Sequence, residues 1–97
     1  MDENRIVNIG VQVLPLTEDA IPLVDRAIAA IAASGLKYEV GPLETTIEGP
    51  FEAALAAAKA AHLACLESGV QHVVTVIKIA DGAHGAHTID EKTAKYR

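Results

Sequence analysis

The sequence predicts an α+β sandwich, in which a four-stranded antiparallel sheet carries two helices on one face and a short C-terminal helix follows. Three observations predict it. From Ile6 to Leu14 apolar residues alternate with polar ones, the period of a strand with one buried face. Two further stretches are helical in character, one by its three- and four-residue apolar spacing and one by its density of Ala. The endings "ASGLKYEV" and "ESGVQHVV" echo one another, so the chain reads as βαβ followed by βαβ. A helical repeat array is the competing reading of that echo, but β-branched strands lie between the helices and only two copies are present.

The first strand carries Val7, Ile9, Val11 and Val13 on one side and Asn8, Gly10 and Gln12 on the other, and it ends at Pro15. Thr17 is a plausible N-cap for a first helix over 18–34, whose stripe is Ile21, Val24, Ile28 and Ile31 and whose stop is Gly35. Pro22 is tolerated near its start, where backbone N–H groups have no intrahelical partner. "LKYEV" reads as the second strand, Gly41-Pro42 as a turn and "LETTIE" as the third strand. Pro50 suits the first position of the second helix, "FEAALAAAKAAHLACLES", which Gly69 stops. "VQHVVTVIKIA" is the fourth strand. After "DGAHGAH", a turn-like link, "TIDEKTAKYR" forms a short capped helix with basic residues at its end.

Right-handed crossovers place both long helices on one face and leave the other face bare. In the fourth strand Val73, Thr75, Ile77 and Ile79 point one way and His72, Val74, Val76 and Lys78 the other, so apolar residues are present on both sides. An exposed face bearing Val74, Val76 and Lys78 is of the kind that marks a protein contact, and a homo-oligomer, a dimer of dimers, is expected.

Composition narrows the function. With 97 residues and 51% hydrophobic content the chain closes one core, and residues 1–97 are expected to be one domain. A net charge of -5, from 8 Lys+Arg against 13 Asp+Glu, with no basic stripe, argues against nucleic acid as a partner. No stretch has the roughly 18 apolar residues of a membrane span, and the acidic start "MDENRIVNIG" is unlike a secretory signal. Cys65 is the only cysteine, which excludes an internal disulfide and a multi-Cys zinc site and makes the cytoplasm the simplest location.

The run "SGLKYEVGPLETTIEG", the later "SGVQHVVTVIKI" and the closing "TIDEKTAKYR" together resemble a family of small ferredoxin-like proteins that bind thiamine or its hydroxymethylpyrimidine part and assemble through their sheets. The resemblance covers nearly the whole chain. It implies a ferredoxin-like fold, a non-catalytic binding role, a tetramer and no cofactor. Where many members of that family carry Met-Gly, this chain has Leu43-Glu44, which adds a carboxylate beside the site.

For such a ligand, with its cationic thiazolium and an aminopyrimidine edge of donors and acceptors, a carboxylate and hydroxyls are fitting partners. Glu44, at the head of the third strand, is the first candidate, with Thr45, Thr46 and Glu48 behind it. Alternation separates them: Glu44, Thr46 and Glu48 share one face, while Thr45 and Ile47 share the other. Tyr38 is either a stacking residue or a core residue, and Gln12 offers an amide from the polar side of the first strand. A solvated strand with threonines that merely favour it is the alternative for each of these positions.

No chemistry of bond making is written in the chain. It lacks a Ser-His-Asp order, a Gly-rich phosphate loop and a helical His-Glu-x-x-His pattern, and Cys65 falls in an Ala-rich helix without an activating base. His84 and His87, near Asp81 and Asp90, have loose spacing in a glycine-rich segment and are expected to bind no metal. His62 lies near the buried stripe of its helix as a packing residue. A binding module for thiamine or its pyrimidine precursor is therefore the expectation, the alternative being a structural or regulatory oligomer without a small-molecule ligand. An enzyme acting on a pyrimidine is a distant third.

Overall fold

The protein, described here by a computed structural model that covers all 97 residues, has its elements in the predicted order. They are β1 (Ile6–Pro15), α1 (Ile21–Ala33), β2 (Lys37–Val40), β3 (Thr45–Pro50), α2 (Phe51–Leu66), β4 (Val73–Ala80) and α3 (Ile89–Thr93), with a 3-10 turn over Ala94–Tyr96. The sheet order is β2-β3-β1-β4 and every pairing is antiparallel. This is the ferredoxin-like sandwich that the sequence predicts.

The core lies between the sheet's central strands and the two long helices. Val7, Ile9 and Val11 of β1 and Ile47 of β3 face Ala27 and Ile31 of α1 and Ala54, Ala57, Ala58 and Ala61 of α2, all buried. Methyl side chains along α2 let it approach β1 and α1 closely. The volume between the layers is then filled by the larger Ile9, Ile31 and Ile47, whose burial contributes about 1.5–3 kcal/mol each. Both long helices end on a glycine of positive φ, Gly35 at 76° and Gly69 at 97°, a conformation that other residues rarely adopt. The echo between the two halves is thus a repeated helix stop.

Several boundaries differ from the sequence reading. β4 begins at Val73 rather than Val70, α2 ends at Leu66 rather than Ser68, and β3 runs on to Pro50. Three further differences have a clear local cause. α1 begins at Ile21 behind Ala20, with no side-chain cap, and Thr17 instead turns back on Pro15 through its own N–H. A helix starting at residue 18 would place Pro22 in its second turn, where the ring clashes with the carbonyl of residue 18 and a hydrogen bond is lost. Starting at Ile21 puts Pro22 within the first turn. β3 begins at Thr45, because the chain at Leu43-Glu44 is still turning, closed by a bond of 2.9 Å from the Gly41 N–H to the Glu44 carbonyl. Pro50 is the N-cap of α2, with an extended ψ of 146°, and Phe51 is its first helical residue.

The second face of the sheet is only half bare. Thr88 caps α3 by accepting from the Glu91 N–H, and α3 crosses the ends of β1 and β3. Glu48 accepts a 2.7 Å bond from the Ile89 N–H, and Asn8 donates to the His87 carbonyl at 2.9 Å. Lys37 pairs with Asp90, and Arg97 with Asp90 and Glu39. The part of that face near β4 stays open. No helix is long and apolar enough to cross a membrane.

Candidate functional site

The open part of the face holds a cavity of about 250 Å3 whose floor is Gly10 of β1 and Thr46 of β3. Strand register makes the floor, since Gly10 stands opposite Thr46 on one side and opposite Lys78 of β4 on the other. Glu44 and Lys78 form one wall, and Lys92 and Thr93 of α3 another. Glu39 lines it too, its carboxylate held by Arg97.

Glu44 has two unlike oxygens. Oε1 is paired with the Lys78 ammonium at 2.7 Å, and that lysine side chain is 68% exposed. Oε2 is closed off from solvent and has no hydrogen-bond partner. It rests where a side chain on residue 10 would be, for a Cβ built on Gly10 would lie 2.5 Å from it. Glycine at this position is what lets the carboxylate lie down on the sheet. A buried polar atom without a partner is rare and costly, and calls for a donor.

The candidate residues from the sequence divide accordingly. Glu44 and Thr46 meet in the cavity. Glu48 is on the same face but is already engaged by the start of α3. Gln12 is on that face too, farther along β1 and opposite Val76. Thr45 is buried on the helix side. Tyr38 shares that side, standing across from Ile47 on the edge strand β2, half exposed and on the opposite face from Glu44. A second, mostly apolar cleft of about 300 Å3 lies on the helix side between α1 and the β2–β3 connection, with Val24, Ile28, Val40, Leu43 and Thr45 in its walls. It has Glu44 at its margin as well.

Asn8, Gly10, Glu39, Lys92 and Thr93 were not singled out by sequence reasoning. The alternation of β1 already put Asn8 and Gly10 on the face of Gln12, and pairing β1 with β3 would have brought Gly10 to Thr46. Nothing in the sequence signals that α3 folds back over the sheet.

The remaining polar candidates, His84 apart, have partners elsewhere in the fold. Arg5 forms a two-pronged pair with Asp81 at 2.6 and 2.7 Å and holds that carboxyl below the usual range. Lys37 and then Arg97 do the same for Asp90. His87 lies 3.0 Å from Glu91, whose carboxyl it lowers, and no three His, Cys, Asp or Glu side chains gather as metal ligands. Cys65 is buried in α2, and burial pushes its thiol up, away from the thiolate form that reacts. His62 is bonded through Nδ1 to the Thr75 hydroxyl at 2.6 Å, joining α2 to β4.

Fold and cavity together define a ferredoxin-like protein with a polar recess on the outer face of its sheet. The family model described as thiamine-binding protein matches residues 9–97, and the chain belongs to that family. It is 41% identical over 92 residues to a UPF0045 protein of Clostridium perfringens, covering 93% of this chain and 96% of the relative. Among solved structures, a DUF77 domain of unknown function from Bacillus cereus superposes with a TM-score of 0.89 at 39% identity, over 100% of this chain and 96% of the other. A Thermotoga maritima protein with a suggested role in thiamine biosynthesis or salvage has a TM-score of 0.83 at 37% identity, over 95% of this chain and 99% of the other.

Proposed function

We propose that this protein binds thiamine, or its hydroxymethylpyrimidine part, in the cavity above Gly10, and that it carries the ligand without changing it. The observation that carries this reading is the Glu44 carboxylate, with one oxygen dry and unpartnered beside a recess on an exposed sheet face. A cationic thiazolium or the amino group of a pyrimidine supplies the missing donor or charge, and Thr46 adds a hydroxyl from a rigid strand. At about 250 Å3 the recess is smaller than the roughly 300–1,000 Å3 typical of sites that enclose a whole ligand. It suits one ring of a two-ring molecule. The lone thiol is buried and pushed up by that burial, and His62 on the same helix is engaged with Thr75, which favours binding over nucleophilic chemistry and suits a cytoplasmic protein.

The ligand is carried by a homo-oligomer, a tetramer in this reading. Leu14, Val74 and Val76 are exposed together on the open face, with Leu14 directly across from Val74. Such an apolar strip beside a polar recess is what a sheet-to-sheet contact would cover. Its exposure also supports the second reading, a structural oligomer without a ligand.

Calorimetric titration with thiamine separates the two readings. The wild-type protein is expected to bind saturably. A hydrogen bond to a charged group contributes about 1.5–3 kcal/mol, so Glu44→Gln should weaken binding about ten- to a hundredfold with the melting temperature preserved. Thr46→Ala should weaken it less, and Glu48→Gln should act on the seating of α3 instead. No heat from the wild-type protein favours the structural oligomer, while equal binding by Glu44→Gln moves the site to the helix-side cleft.

A further inference from the structure

We propose that Lys78 is a built-in competitor for Glu44: its ammonium holds the place that a ligand's cationic or amino group takes, and swings into solvent when the ligand binds. This rests on the reading that the cavity above Gly10 is the ligand site. Register and the missing side chain of residue 10 create the device. Lys78 stands opposite Gly10 in β4, and with nothing rising from Gly10 its side chain crosses β1 to reach Glu44 Oε1 at 2.7 Å. The other cations near the cavity have partners of their own. Lys92 donates to Asn8 Oδ1 at 3.3 Å, and Arg97 is bound to Asp90 and Glu39.

The pair is built to part. Lys78 is 68% exposed against 27% for Glu44, so water screens the attraction, and a flexible four-carbon stem carries the ammonium back into water at little cost. Lys78 also satisfies only one oxygen. A ligand that presents two donors side by side, or a delocalised cation lying flat on Gly10, engages Oε2 as well once the carboxylate turns. Lys78 therefore sets a threshold, which rejects ligands that offer no more to Glu44 than an ammonium does.

Thiamine titrated into wild-type, Lys78→Met and Lys78→Arg proteins tests this. Removing the competitor should tighten binding about two- to fivefold, the worth of an exposed pair. Arg, a planar and firmer carboxylate partner, should weaken it by a similar factor. In a Glu44→Gln background both changes should become silent. If wild type and Glu44→Gln differ as expected but Lys78→Met binds equally or more weakly, Lys78 is a bystander or a ligand contact, and the competitor is overturned while the site stands. If thiamine binds none of the proteins, or Glu44→Gln is without effect, the site itself is wrong and the competitor falls with it.

Discussion

β1 and β4 are built from the same kinds of residue and lie side by side over eight paired positions, yet they meet opposite fates. Val7, Ile9 and Val11 are buried, while Ile77 and Ile79 on the same side of β4, and Val74 and Val76 on the other, are exposed. Position in the sheet decides this. β1 is central and has both helices over it, whereas β4 is an edge strand that α2 only partly shelters. The same apolar pattern is therefore a core signal in one strand and a surface signal in its neighbour. An edge strand with apolar groups on both faces and unpaired backbone along its rim is a hazard unless something covers it.

The largest effect that separates the two strands should come from paired truncations. Ile9→Ala should destabilise the protein by about 2–5 kcal/mol at any protein concentration, as read from urea unfolding. Ile79→Ala should cost well under half as much in dilute solution. If its cost rises with protein concentration, a second copy covers β4; if it equals that of Ile9→Ala in a monomer, the contrast drawn between the strands is wrong. Next comes assembly. Val76→Lys puts a charge in the middle of the apolar strip and should reduce a sedimenting oligomer to smaller species with the fold retained. A wild-type chain that sediments as a monomer at micromolar concentration removes the interface.

The smallest effect concerns the part of the open face that is already covered. Asp90 is held low by Lys37 and Arg97, and Glu91 by His87. Carboxyls whose values are lower folded than unfolded contribute stability that is fully present above the ordinary value of about 4, and it is lost as pH falls through the lower folded values. Acid should therefore loosen α3 before it melts the core. Amide exchange over residues 87–97 at pH 7 and at about pH 3 measures this; protection that persists unchanged would mean that Glu48, Asn8 and the buried Ile89 seat α3 without its surface pairs.

Element order and the division of each strand into two faces were legible because period and turn chemistry are local. Glu44 and Thr46 were legible as neighbours for the same reason. What could not be read locally was the fold-back of α3, which depends on single bonds to Glu48 and Asn8 from residues some 40 and 80 positions away in the chain. Thr17 is a good cap by type, but Pro22 dictates where the helix starts, and that start is Ile21. Alternation separates Thr45 from Glu44 already in the sequence, and the structure keeps Thr45 and Tyr38 on the helix side of the sheet.

The space above residue 10 admits either a side chain on β1 or the carboxylate of residue 44, never both in this arrangement. The two positions are consequently expected to change together. Alanine at 10 should push the Glu44 carboxylate off the sheet, and should fit without that displacement once a shorter residue stands at 44. Aligned relatives should show glycine at 10 wherever a long acidic residue stands at 44, and freedom at 10 elsewhere.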